Sequence, residues 1–137
     1  MHGEAERVRT QNRRFYEALS SQNILSMEKI WARSDYVRCV HPGWHMLEGW
    51  ESVRDGWRTI FTNAICLTVE PETSDVDVHG PVAVVTCRER ISSFTLEGSN
   101  VTTALATNIF EKRAGRWLLI HHHASPIGRN GEARTDP

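Results

Sequence analysis

Long apolar runs are missing from this chain, and so is a surplus of charge of either sign. No stretch approaches the roughly 20 apolar residues a membrane span needs, so no membrane-spanning helix is expected. The opening MHGEAERVRTQNRRF is polar and charged, without the apolar core of a secretory signal. Lysine and arginine number 16 against 17 acidic residues, a formal net charge of -1. That balance leaves no basic footprint for nucleic acid and no polybasic patch for a membrane surface. Cysteine is scarce: Cys39, Cys66 and Cys87 lie far apart and make neither a disulfide framework nor a zinc knuckle. They read as reduced, mostly buried thiols of a cytoplasmic protein. No internal repeat and no metalloprotease signature of the HExxH kind is present.

What remains is a globular pattern of 137 residues, enough for one domain with a real core. Val8, Phe15, Ala18 and Leu19 recur at helical spacing, which predicts an amphipathic helix over about 5–20. Asn23 can cap a second short helix carrying Met27, Ile30 and Trp31. DYVRCV reads as a short strand ended by Pro42-Gly43. Trp50, Val53, Trp57, Ile60 and Phe61 predict a third helix over about 49–61. After Ala64 the period falls to two. ICLTVEP and DVDVHG read as one strand interrupted near Pro71 by a bulge. VAVVTCRERISSF, NVTTALATNIFEKR and RWLLIHHHAS follow as three more, the last two joined by a tight turn at 113–116.

Helices first and antiparallel strands after them argue for an α+β domain over 5–127, with helices against one face of a curved sheet. The polar residues 128–137 read as a disordered tail. A sheet curved around helices leaves a space in which small ligands bind.

Histidine is the residue type that stands out there. On a strand, His121 and His123 share one face and His122 takes the other. His121 and His123 could share a metal, with His41, His45, His79 or Glu89 completing it. They could instead serve as pocket acids, bases or anchors, since imidazole titrates near pH 6.5. The register is open. A two-residue turn sets Asn108 against His121 and Ala106 against His123; a three-residue turn sets Thr107 and Leu105 there instead. His41 closes the first strand before a Pro-Gly turn, followed by Trp44 and His45. On the strand over 82–95, either the Thr86, Arg88 and Arg90 face or the Cys87, Glu89 and Ile91 face looks inward. An inward arginine would favour an anion, an inward carboxylate a base.

DYVRCVHP, LEGWESVRDGWRTIF and the ending WLLIHHHASP together resemble the NTF2-like superfamily, and within it the SnoaL-like domains, over about 5–127. The resemblance implies a cone: a curved antiparallel sheet wrapped around about three N-terminal helices, with a cavity at the wide end, and a homodimer formed through the sheet. The ending GRW with Trp117, His121, His123 and Ser125 also resembles the association domain of calcium/calmodulin-dependent protein kinase II. Ketosteroid isomerase, of the same superfamily, has its aspartate base where His41-Pro42 stands. Its oxyanion tyrosine falls on Phe15, beside Tyr16, and its second aspartate near Thr107 or Asn108. All three groups differ, so steroid isomerisation is not expected.

Two function classes follow. In the first, a small organic molecule is bound and a proton is abstracted beside its carbonyl, as in an isomerase, cyclase or dehydratase. His41 is then the base and His121 or His123 its partner. Tyr16 and Asn108 donate hydrogen bonds, and Trp44, His45 and Trp57 form the walls. In the second, the domain is a non-catalytic binding or assembly module, with Arg88 or Arg90 and the outer histidine pair holding a carboxylate. No cofactor and no resident metal is expected.

Overall fold

The computed structural model describes residues 3–127; the expected tail at 128–137 lies outside them. Helix α1 spans Glu4–Ser20 and buries Val8, Asn12, Phe15, Tyr16, Ala18 and Leu19. This is one stripe at helical spacing, with two polar side chains, Asn12 and Tyr16, set in it. Helix α2, Ile24–Ile30, starts at Asn23, whose side chain accepts from the Leu25 and Ser26 amides and so satisfies donors the first turn leaves free. Helix α3, Trp50–Asn63, turns Val53, Gly56 and Trp57 inward.

Six strands form one sheet: β1 (Arg38–Val40), β2 (Leu47–Glu48), β3 (Cys66–His79), β4 (Val82–Thr95), β5 (Gly98–Arg113) and β6 (Arg116–Pro126). Their order is β2-β1-β6-β5-β4-β3. Strands β3 to β6 form an antiparallel meander, as expected. The short β1 joins β6 in parallel, so the sheet as a whole is mixed. The two-residue β2, absent from the sequence reading, is the edge beyond β1. The bulge in β3 falls between Pro71 and Ser74, where proline has no N–H to give the ladder.

The β5–β6 hairpin turns on Ala114 and Gly115, with φ of 50° and 79°, the mirror-image geometry that suits the strand twist. Neither register considered above is the observed one. The ladder starts as a two-residue hairpin, Arg113 opposite Arg116, then slips between Ile109 and Phe110. Ile120 is the extra residue. Beyond it Asn108 faces His122, and Thr107 faces His123. Leu119 stays inward, Ile120 and His121 both fall outside, and His122 returns to the buried side.

The helices fill the concave face of the sheet. Phe15, Met27, Trp31, Val53 and Trp57 from the helical half meet Val85, Ala104, Phe110 and Leu119 from the strands. Burial of this apolar area is the main stabilising term, about 25 cal/mol per Å².

Candidate functional site

Five polar residues lie inside this apolar packing: Asn12, His41, Glu89, Asn108 and His122, none more than 4% exposed. Tyr16 joins them at 3%. A buried polar group must find partners, and these find one another. Tyr16 donates its hydroxyl proton to Glu89 Oε2 at 2.6 Å. Asn108 Nδ2 donates to Asn12 Oδ1 at 2.8 Å and to the Tyr16 oxygen at 3.1 Å. With its amide so committed, the Asn108 carbonyl accepts from His122 Nδ1 at 2.6 Å. That fixes the tautomer: Nδ1 carries the proton and Nε2 is the bare acceptor. Nε2 sits 3.9 Å from Glu89 Oε2. Cys87 lies against the Tyr16 oxygen at 3.2 Å.

His41 stands at the end of β1 on the same side of the sheet, its ring centroid 6.2 Å from that of His122. It packs edge-on against Trp57 at 4.5 Å and Trp44 at 4.8 Å, and its Nε2 is 3.6 Å from Cys39 Sγ. Phe15 and Trp57 flank His122 at 5.0 and 5.9 Å. The Trp57 indole N–H is buried with no partner.

Burial decides the protonation states. It raises the Glu89 carboxyl to about 7, with partial relief from the Tyr16 hydroxyl. It lowers His41 to about 4. His122 is held well below the ordinary imidazole range, first by burial and then by the positive charge its histidine neighbours would carry. Near neutral pH this closely packed chamber of side chains therefore holds two neutral imidazoles and one carboxyl that can give or take a proton. That pairing is suited to general acid–base chemistry.

The residues singled out from the sequence divide cleanly. Tyr16, His41, Trp57 and Asn108 gather in the chamber. Trp44 forms its rim, with one edge on His41 and 38% of its surface in solvent. His45 is exposed on the turn after β1. His121 and His123 point to the outer face of the sheet, where they border a shallow hollow of about 400 Å³ with Leu105, Thr107 and Ser125. The Ile120 bulge puts Ile120 and His121 on the same side, so His122 takes the inward place expected for His121 or His123. Arg88 and Arg90 are exposed on the outer face, so no arginine of β4 reaches the chamber. Cys66 is exposed, while Cys39 and Cys87 are buried. Among the described residues, no three side chains of metal-ligating type converge: the sheet separates His121 and His123 from His41 and Glu89.

Glu89, His122 and Asn12 are chamber residues that the sequence reading did not assign. For Glu89 a signal existed. Ala83, Val85, Cys87 and Glu89 alternate on β4, and the apolar members of that series mark its inward face.

A family model described as a SnoaL-like domain matches residues 8–128. Among solved structures, an NTF2-like family protein from Streptomyces avermitilis, proposed to be a dehydratase, is 31% identical. The match covers 92% of this chain and 97% of that one, with a TM-score of 0.85. A Thiobacillus denitrificans protein, proposed to be a calcium/calmodulin-dependent protein kinase type II association domain, is 28% identical over 86% of this chain and 93% of that one (TM-score 0.76). The F-box protein SKIP8 of Arabidopsis thaliana is 27% identical over 114 residues, 83% of this chain. The chain spans about half, 47%, of that relative's length.

Proposed function

The chain belongs to the SnoaL-like domain family, and on that premise we propose that it binds an uncharged small organic molecule inside the cone and moves a proton on it. One observation carries the reading. A carboxyl raised to about 7 is buried 3.9 Å from the bare nitrogen of a neutral histidine, at the end of a relay from Asn108 through Tyr16. Keeping such a group in an apolar interior costs stability, and that cost is understandable if the group has a task.

Glu89 is the base in this reading. As carboxylate it takes a proton from a carbon next to a carbonyl. Tyr16 steadies the charge it carries beforehand, and His122 Nε2 is placed to relay the proton. The Trp57 N–H is the spare donor for the oxygen on which negative charge develops. His41 stays as the neutral wall and second acceptor. The role expected for His121 or His123 falls to His122. An uncharged ligand fits this lining, since Arg88 and Arg90, the anion partners weighed from the sequence, face outward. The isomerase, cyclase or dehydratase classes all begin with this step. The proposed activity of the Streptomyces relative is of the same kind.

The test is hydrogen exchange at the α-carbon of a simple aromatic ketone, 2-tetralone, in D2O followed by NMR. The protein should accelerate exchange, and Glu89→Gln should remove the acceleration while keeping the fold. Exchange no faster than in buffer, for this and related ketones, would sink the proposal.

A second proposal concerns assembly and is compatible with the first. The outer face of the sheet carries Glu70, Asp75 and Asp77 on β3 and Arg88 and Arg90 on β4, with His121 and His123 further across on β6. Exposed Leu105 and Val101 lie on β5. Across this face the acids of β3 lie beside the arginines of β4, and the exposed apolar side chains of β5 lie between those arginines and the histidines of β6, a patch that a second copy turned by a two-fold axis would cover. We therefore propose a homodimer through this face.

A further inference from the structure

The polar residues of the chamber are packed against one another and almost wholly covered. Covering the His41 end is the short β1–β2 hairpin. It turns at His41-Pro42-Gly43-Trp44, where the Trp44 amide donates to the His41 carbonyl at 2.8 Å. The segment from Trp44 to Glu48 lies between two glycines of positive φ, Gly43 at 82° and Gly49 at 85°. Residues with side chains rarely adopt that backbone. The hairpin is held to the sheet by two paired positions, Cys39 with Leu47 and Arg38 with Glu48, and by the Gly49 amide, which donates to the Val37 carbonyl at 2.9 Å. It is also the sheet's edge, so nothing pairs on its far side. Trp44 and Met46 expose 38% and 50% of their surfaces.

Against this weak attachment stands one close fit. Gly56 lies within α3, a position where glycine disfavours a helix by about 1 kcal/mol against alanine. A Cβ there would come 2.5 Å from Leu47 Cδ1, 3.5 Å from His41 Nε2 and 3.6 Å from Trp44 Cζ3. The missing side chain is therefore a notch that receives Leu47, beside both His41 and Trp44.

We propose that residues 43–49 are a hinged gate over the chamber, with Gly43 and Gly49 as its hinges and Leu47 in the Gly56 notch as its latch. Opening breaks two strand pairings and the Arg38–Glu48 ion pair, pivots about the Gly49–Val37 hydrogen bond, and withdraws Leu47. That uncovers His41 and the Cys39 thiol beneath it, and leaves the β3–β6 meander intact. The gate gives the ligand site of the proposed function its entrance, and rests on that reading only for its purpose. Its motion is measured without any ligand.

The chain carries its own reporters. Cys39 lies under the gate, Cys87 lies deeper beside Tyr16, and Cys66 is exposed. Iodoacetamide labelling under native conditions, resolved by site with mass spectrometry, follows all three. Cys66 calibrates the reagent and Cys87 reports opening of the whole cone. In Gly56→Ala the added methyl group displaces Leu47. Labelling of Cys39 should rise roughly tenfold while that of Cys87 stays at the wild-type rate, the mark of local opening. Leu47→Ala removes the latch without inserting anything, and should give the same selective rise. If Cys39 and Cys87 rise together in both variants, or Cys39 rises in neither, the gate is wrong. A gate that passes, with no ketone exchange, would leave the hinge standing and remove the catalytic reading alone.

Discussion

Glu89 is a carboxyl whose proton the folded chain holds more tightly than the unfolded chain does, and this makes its role visible in stability. Its value in the fold is about 7, against 4.5 for the ordinary side chain. Its contribution is therefore fully present below pH 4.5 and is lost as pH rises through 7. His41 works the other way. Lowered from 6.5 to about 4, it contributes stability above pH 6.5 that is lost as pH falls through 4. Glu89→Gln removes only the first effect. Between pH 5 and pH 8, urea titrations should show the variant gaining on wild type by about 2–3 kcal/mol, the worth of the shift at about 1.4 kcal/mol per unit. An unchanged gap would mean that Glu89 ionises as a solvated side chain does. At this scale the sequence made His41, Tyr16, Trp57 and Asn108 candidates by residue type and place. It left the face of β4 open, because Arg88, Glu89 and Arg90 are all charged; only the alternation of Ala83, Val85 and Cys87 upstream marks the inward side.

Elements were legible where a period was long and broken by a clear signal. The stripe of α1, the Asn23 cap of α2 and the Pro71 bulge of β3 follow from spacing, a side-chain acceptor and a missing N–H respectively. The bulge in β6 had no such mark. Ile120 is a good strand residue, and it is extra only because Leu119 and His122 must both face inward with two residues between them. Such a demand comes from the partner surfaces, not from the strand itself. The two-residue β2 was likewise too short to show a period. The turn of the β5–β6 hairpin supports a clean test. Ala114 holds φ of 50°, a backbone region that costs an alanine about 1–2 kcal/mol and that asparagine adopts more readily. Ala114→Asn should raise stability by about 0.5–1 kcal/mol, read as a higher urea midpoint at unchanged slope. A lower midpoint would mean that the observed turn is not the one formed in solution.

The molecule as a whole presents two faces of one sheet that differ in composition. The concave face holds the chamber, and the convex face carries exposed Leu105 between the arginines of β4 and the histidines of β6. Membership of the SnoaL-like family accounts for the cone. Likeness to a protein proposed to be an association domain makes assembly a natural question. A stable interface of ordinary size removes about 800 Å² from each partner, about a tenth of the 8227 Å² this chain exposes. The outer face has its apolar centre at Leu105, 55% exposed, with Val101 beyond it at 59%. A charge at the centre of such a patch is desolvated with no partner, so Leu105→Glu should shift the chain from dimer to monomer. Sedimentation velocity at matched concentrations reads this directly. Because the acids of β3 are already matched by the arginines of β4 beside them, the apolar centre holds the interface, and raising the salt from about 0.05 to 0.5 M should leave the wild-type dimer in place. A wild-type chain that sediments as a monomer in both buffers would refute the interface. The chamber chemistry would then belong to a single cone.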